Sequence, residues 1–296
     1  MEVLKSVSEA QRFTLDRRSQ GKSVGIVPTM GALHEGHLSL VRASHDCDTT
    51  IATIFVNPTQ FGPGEDLDKY PRTLEQDCQA LDQIGVDAVF VPETANMYPE
   101  GFSTYVDPPE VSRTLEGVCR PGHFRGVATV VLKLFQAVPA THAYFGKKDF
   151  QQWRVVEAMA RDLNLGIEIV GCPIVREPDG LAMSSRNRYL SAEERCRALR
   201  ISEALERAEE AVAQGERSIA ELESAMRQCL VAASAAGSKP IADGGNAAAG
   251  LDKSDYATVV AADTLSPLAE VDRPAVALIA GFVGQTRLID NRELQI

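Results

Sequence analysis

Short β-rich runs and helix-length amphipathic segments alternate through the first 175 residues, and this alternation constrains the fold more than any other feature. Ser23–Pro28 reads as a buried strand, and Gly36–Cys47 follows it with apolar residues at helical spacing. Thr50–Val56 is a second strand, stopped by Asn57-Pro58. Thr73–Ile84 places Leu74, Cys78, Leu81 and Ile84 on one helical side, and Asp87–Val91 is a third strand. Val127–Val138 is an apolar helix. His142–Phe145 and Ile167–Val170 are further strands, with Phe150–Leu163 helical between them. Repeated strand-helix-strand units with right-handed crossovers give parallel strands covered by helices on both faces. The expected fold is therefore α/β, a doubly wound (Rossmann-like) parallel sheet.

The pattern changes near Val175-Arg176. Ser191–Gln214 reads as a long charged helix, with Ser191 as N-cap and Glu194 as its capping-box partner. Ser218–Ala235 is a second helix. Gly237–Leu251, rich in Gly, Ala and Ser, reads as a flexible surface loop. Tyr256–Ala262 and Val276–Val283 look like strands, and Gln285–Ile289 like a shorter one. Helices followed by adjacent strands predict a smaller C-terminal α+β domain. The expected division is residues 1–175 and 176–296, the second part closing over the active site.

Composition closes off several classes of function. Thirty Lys and Arg stand against 41 Asp and Glu, a formal net charge of −11, which argues against non-specific nucleic-acid binding. No membrane span is expected, because the longest apolar run, Ala275 to Gly284, is about half of the roughly 18 residues needed. The start, Met-Glu-Val-Leu-Lys-Ser, lacks a basic region followed by an apolar core. The six cysteines show no Cys-x-x-Cys spacing, so reduced thiols and a cytoplasmic location are the simple expectation.

Four polar segments sit at predicted strand ends, where open α/β sheets bind ligands. Pro28–Leu38 leaves a strand and opens a helix, and it carries His34 and His37 three positions apart. A helix start there offers N–H groups and a positive dipole end, and two imidazoles suit hydrogen bonding to phosphate oxygens. A lone histidine would ordinarily cap or pack; the pair at a strand end favours function. His-Glu-Gly-His also lacks the four-residue ligand spacing of His-Glu-x-x-His zinc sites. Asn57 and Gln60, at the end of the second strand, are neutral groups able to orient a hydroxylated substrate. Gly146-Lys147-Lys148-Asp149 can neutralise phosphate, with Asp149 accepting from a ribose hydroxyl or capping the helix. Met183-Ser184-Ser185-Arg186 offers hydroxyls and a guanidinium, a compact anion-binding set.

At these residues the chain resembles the pantoate–β-alanine ligase family, within the wider His-x-Gly-His nucleotidyltransferases. The resemblance rests on Pro28–Val41, Asn57–Gly62, Tyr70–Thr73, Arg120–Phe135, Gly146–Gln152, Arg176–Leu190 and Thr286–Asn291, and covers nearly the whole chain. It implies condensation of pantoate with β-alanine through a pantoyl adenylate, consuming ATP and releasing AMP and pyrophosphate. It further implies that Met30, Gly31, Ala32, Leu33, His34, Glu35, Gly36 and His37 bind ATP, with His37 catalytic and His34 and Lys148 beside it on the phosphates. Gly146, Lys147, Lys148, Asp149, Val175, Met183, Ser184, Ser185 and Arg186 would complete that site. Gln60 and Gln152 would contact pantoate. Asp77 matches a position linked to Mg²⁺, with Gln76 standing where a second carboxylate is sometimes found. A homodimer, no membrane and no nucleic-acid partner are implied as well. The 237–251 stretch resembles an insertion, expected to be neutral for catalysis.

Overall fold

A strand with no polar alternation has to be buried on both faces, and the first part of the chain is built on that requirement. The computed structural model describes residues 1–231 and 250–295. They divide into two units, Met1–Val175 and Arg176–Ile296. In the first unit the order is β1 (Glu2–Leu4), α1 (Val7–Ser19), β2 (Val24–Thr29), α2 (Glu35–Ser44) and β3 (Thr49–Ile54). There follow α3 (Leu74–Gln83), β4 (Ala88–Phe90) and the short α4 (Thr94–Met97) and α5 (Glu116–Cys119). The unit closes with α6 (His123–Ala137), β5 (His142–Gly146), α7 (Phe150–Asp162) and β6 (Glu168–Cys172).

The six strands form one sheet in the order β1-β4-β3-β2-β5-β6, and every neighbouring pair is parallel. Side chains alternate between its two faces. Ile26, Ile51 and Phe90 point to one side, into a core with Phe124, Val127 and Leu134 of α6 and Val155 and Met159 of α7. Val27, Ala52 and Val89 point to the other, against Leu40 and Val41 of α2 and Leu81 of α3. Burying each of these large apolar side chains contributes about 1.5–3 kcal/mol, so both faces hold their helices. The sheet is doubly wound. Its order reverses between β2 and β5, because β3 and β4 build outward on one side of β2 while β5 and β6 build on the other. A crevice for ligands opens at such a reversal, outside the carboxyl ends of the strands.

β1 and α1 were not expected from periodicity. Helix α1 buries only Ala10 and Thr14 of its named positions, so its apolar stripe is thin. Its start is marked by a capping box, Ser6 with Glu9, which a reader of the sequence could have found.

The second unit holds α8 (Ala192–Ala213) and α9 (Ile219–Val231), then β7 (Lys253–Ala261), β8 (Ala275–Val283) and β9 (Thr286–Leu294). The three strands are antiparallel in the order β7-β8-β9, which makes this unit α+β. Ser191 and Glu194 form the expected capping box at α8. The last strand is longer than the Gln285–Ile289 expected. Two of its further positions are polar yet buried: Asp290 and Asn291 are 4% and 3% exposed. Asp290 is held by Arg176, at 2.7 and 3.1 Å from Nη1 and Nη2. Hydrophobic alternation cannot reveal a strand whose inward residues are charged and paired. The expected end of the second helix at 232–235, and residues 237–249 of the Gly/Ala-rich stretch, lie outside the described residues. Among those described, no helix is long and apolar enough to cross a membrane.

Candidate active site

The carboxyl end of β2 is followed by a strained turn. Gly31 has φ +79° and Ala32 φ +50°, two left-handed residues in succession. Such a conformation is unfavourable for a residue with a Cβ and persists only where surroundings enforce it. Asp77, on α3, does the enforcing. Its Oδ2 accepts the Ala32 N–H at 2.9 Å, and its Oδ1 the Leu33 N–H at 2.8 Å. Thr73 Oγ1 donates to Oδ2 at 3.2 Å, and Gly31 N–H reaches Thr29 Oγ1 at 3.2 Å.

The turn runs into α2, whose N-cap is His34. Gly36 N–H donates to His34 Nδ1 at 3.2 Å, and His34 N–H to His37 Nδ1 at 3.4 Å. This is a capping box made of two imidazoles instead of a hydroxyl and a carboxylate. Since both Nδ1 atoms accept, the ring proton of each histidine sits on Nε2. The rings lie 4.1 Å apart, centroid to centroid. Desolvation, with the neighbouring His34 second, pushes the His37 pKa down to about 3; Lys148 adds to the shift and Asp149 opposes it. His37 is therefore a neutral Nε2–H donor at physiological pH. The expected free N–H groups are not what this helix start presents: those of Ala32, Leu33, His34 and Gly36 are engaged by Asp77, His37 and His34. The side chains of His34 and His37 add their Nε2–H donors to this helix start.

Strand β5, next to β2, ends at Gly146, and Lys147–Asp149 make one tight turn before α7. This brings Lys148 and Asp149 into the field of His37. Asp149 makes no side-chain capping bond to α7, so the capping role open to it is not taken. Lys147 Nζ lies 5.1 Å from the ring centroid of Trp153, the only tryptophan. Two adjacent glutamines open α7, and they differ. Gln151 is 3% exposed. It donates to Val111 and Thr114 carbonyls at 2.9 and 2.8 Å and accepts from Glu116 N–H at 2.9 Å. Gln152 is half-buried, and the site reading falls on it.

At the end of β3, Asn57 is 1% exposed. Its Oδ1 accepts from Tyr98 Oη at 2.7 Å and Thr59 Oγ1 at 2.9 Å. Its Nδ2 donates to Gln60 Oε1 at 3.0 Å and Gly126 O at 3.3 Å. The expectation that Asn57 contacts substrate is corrected accordingly: it is buried and saturated, and it orients Gln60. The Gln60 amide is also tied to Met30, its Nε2 lying 3.3 Å from Sδ, which joins the turns after β2 and β3.

Residues from α5 and α6, not singled out from the sequence, hold this second turn from behind. His123 Nδ1 donates to Gln60 O at 2.8 Å, and Arg120 Nη1 donates to His123 Nε2 at 3.1 Å. Arg120 forks onto Glu65, both contacts 2.7 Å. Burial, with Arg120 second, pushes the His123 pKa down to about 4, so this ring is neutral as well. Gly126 lets α6 approach: a Cβ there would lie 2.3 Å from Thr59 O. Apart from Arg120 with His123, three positions on, these contacts have no spacing signature, because they join segments far apart in sequence.

In the second unit, Ser184 Oγ accepts from Arg186 N–H at 3.3 Å and caps a short 3₁₀ turn, Ser185–Tyr189. Asn187 Nδ2 donates to Glu177 Oε1 at 2.6 Å and Ala182 O at 3.0 Å. Arg176, held by Asp290, also donates to Gly180 O at 3.1 Å. The Met183–Arg186 segment is thus braced within its own unit. Val175 is half-buried at the end of the first.

A protein-built metal centre does not fit this geometry. Among the described residues, no group of three or more His, Cys, Asp or Glu could hold a metal ion. Asp77, the expected ligand, is 3% exposed and engaged with two backbone N–H groups.

Comparison with known proteins places this arrangement. The family model described as pantoate-beta-alanine ligase matches residues 2–293. The chain is similar to a pantothenate synthetase of Rhodopirellula baltica, 52% identical over 99% of both chains. Among solved structures it is similar to pantothenate synthetase from Thermus thermophilus, with TM-score 0.87 and 43% identity over 99% of both chains. It is similar also to a pantoate-beta-alanine ligase from Francisella tularensis complexed with beta-gamma ATP and beta-alanine. That match has TM-score 0.75 and 32% identity, over 99% of this chain and 97% of the other. With the whole chain covered at these identities, and a twin-histidine turn at the reversal point of a doubly wound sheet, this protein belongs to the pantoate–β-alanine ligase family.

Proposed function

We propose that the protein condenses pantoate with β-alanine at the expense of ATP, and that the turns after β2, β3 and β5 carry the chemistry. The observation that carries this reading is the meeting of His34, His37, Lys148 and Asp149 at the β2/β5 reversal of the sheet. Family membership supports the substrates.

A carboxylate does not acylate an amine at neutral pH, because oxide is a poor leaving group. Joining pantoate to AMP removes that obstacle. A pantoate carboxylate oxygen attacks the α-phosphorus, forming one P–O bond as the bond to pyrophosphate breaks. The β-alanine amine, entering neutral, then attacks the activated carbonyl carbon; the C–N bond forms, AMP leaves and the amine loses a proton. His34 and His37 donate Nε2–H to phosphoryl oxygens, and Lys148 adds a positive charge where negative charge grows. Keeping His37 neutral makes it a hydrogen-bond donor whose strength does not vary between pH 5 and 8. Residues Met30 to His37, Gly146 to Asp149, Val175 and Met183 to Arg186 form the ATP set. Gln60 and Gln152 orient pantoate. Magnesium enters as part of the MgATP substrate. The residues 1–175 are the nucleotide- and pantoate-binding domain, 176–296 a smaller second domain, and the enzyme works as a cytoplasmic homodimer.

The test is an omission assay with ATP, Mg²⁺, pantoate and β-alanine. Pyrophosphate release that needs pantoate but not β-alanine, with AMP released only when β-alanine is added, is the expected result. Pyrophosphate release without pantoate overturns the reading.

A further inference from the structure

We propose that Asp77 is the positioning residue of the nucleotide turn, acting through the Ala32 and Leu33 N–H groups, and that it does not ligate magnesium. This rests on the reading of residues 30–37 as an ATP-binding turn. Two successive left-handed residues aim neighbouring N–H groups to one side of the chain. In phosphate-binding turns those groups usually point at the ligand. Here they point back into the protein, and Asp77 takes one on each carboxylate oxygen. Left without an acceptor, each buried N–H would bear the full loss of its bond to water. The carboxylate also offsets the strain of Ala32, whose left-handed backbone has no glycine to ease it.

The approach is close on the other side too. A Cβ on Gly31 would lie 3.0 Å from Asp77 Oδ2 and 3.2 Å from Ile54 Cγ2. Gly31 thus serves two ends, its left-handed backbone and the room it leaves for Asp77. Magnesium demands near-octahedral oxygen coordination at about 2.0–2.1 Å and keeps several waters. A carboxylate that is 3% exposed, with both oxygens accepting backbone N–H groups, has no space for that shell. Gln76, beside it, brings no second negative charge. What this turn offers the phosphates in place of the Ala32 and Leu33 N–H groups is then its side chains, His34 and His37.

Asp77→Asn and Gly31→Ala test the assignment by two independent routes. An asparagine still accepts one N–H but turns a donor towards the other. Each variant is titrated with ATP by calorimetry in EDTA, without metal, and then assayed at saturating ATP across a magnesium series. The expected result is ATP affinity about 10-fold weaker in EDTA for both variants. The KM for pantoate and the magnesium midpoint should stay within about two-fold of wild type. Asp77→Asn that binds ATP like wild type in EDTA and shifts only the magnesium midpoint overturns the proposal. If instead the wild-type protein fails to bind ATP at all, the reading of the 30–37 turn fails and Asp77 falls with it. A loss spread equally over ATP, pantoate and melting temperature would show a merely structural residue, and overturns it too.

Discussion

The turns that follow β2 and β3 are neighbours at one end of the same sheet, yet they are held in opposite ways. The first is strained and is braced by a carboxylate, and its two histidines double as its own helix caps. The second is unstrained and is oriented by neutral amides, with Asn57 as hub and α6 behind it. The difference follows from what each turn is proposed to face. A triphosphate needs donors fixed before charge develops, so that nothing reorganises during the reaction. A hydroxylated carboxylic acid needs a polar group aimed at the correct angle, which a bonded amide supplies.

The comparison breaks most visibly at the turn after β2 and at Lys148, in the turn after β5. His37→Ala, or Lys148→Ala, should slow adenylation by about 100-fold or more, read as pantoate-dependent pyrophosphate release. Near wild-type rates for His37→Ala would remove the proposed distinction between the turns after β2 and β3, and near wild-type rates for Lys148→Ala would remove the charge assigned to the turn after β5. A smaller effect of different character is expected at the neutral turn. Gln60→Ala should raise the KM for pantoate by about 10-fold while the KM for ATP stays within about two-fold, since one charge-assisted hydrogen bond is lost. Equal losses for both substrates would show the two turns to be one functional unit.

A still smaller effect sharpens the role of α6. His123→Leu removes the donor to Gln60 O and should raise the KM for pantoate about three-fold, whereas His123→Asn, which can still donate at that position, should restore much of it. If Leu and Asn behave alike, His123 only fills space. The last expectation concerns stability. His37 and His123 are held neutral by burial, with pKa values near 3 and 4 instead of 6.5. The unfolded chain binds these protons first as pH falls, so folding weakens below pH 6.5, by up to about 1.4 kcal/mol per pH unit for each group. The decline should continue to about pH 4 for His123 and pH 3 for His37. A melting temperature that is flat from pH 6.5 to 4.5, or a His123→Leu variant with the wild-type slope, would contradict it.

Much of the first unit was legible because strands buried on both faces and one-sided helices leave unambiguous apolar patterns. Val24–Thr29, Thr49–Ile54 and Phe150–Asp162 fall within a residue or two of expectation. Helix α1 and the second half of β9 were not legible, for one reason. Their buried positions are small or polar, as at Ala10, Thr14, Asp290 and Asn291, and periodicity counts only large apolar residues. The site shows the same limit. His34, His37, Lys148 and Gln60 could be singled out as chemical types at strand ends. That Asn57 is a buried hub, that Asp77 serves backbone N–H groups, and that Gln151 is spent on the backbone of Val111, Thr114 and Glu116, could not.

Local chemistry alone dictates the alternation of strands and helices, the polar groups at strand ends and the imidazole pair, because these depend on neighbours within a turn or two. Which polar group is left for a ligand and which is consumed as a brace depends on acceptors and donors tens of residues away. Asp77 meets Ala32 across 45 positions, and His123 meets Gln60 across 63. Only the packed sheet, with α3 and α6 laid beside its turns, brings those partners within hydrogen-bonding distance and lowers the pKa values of the buried rings.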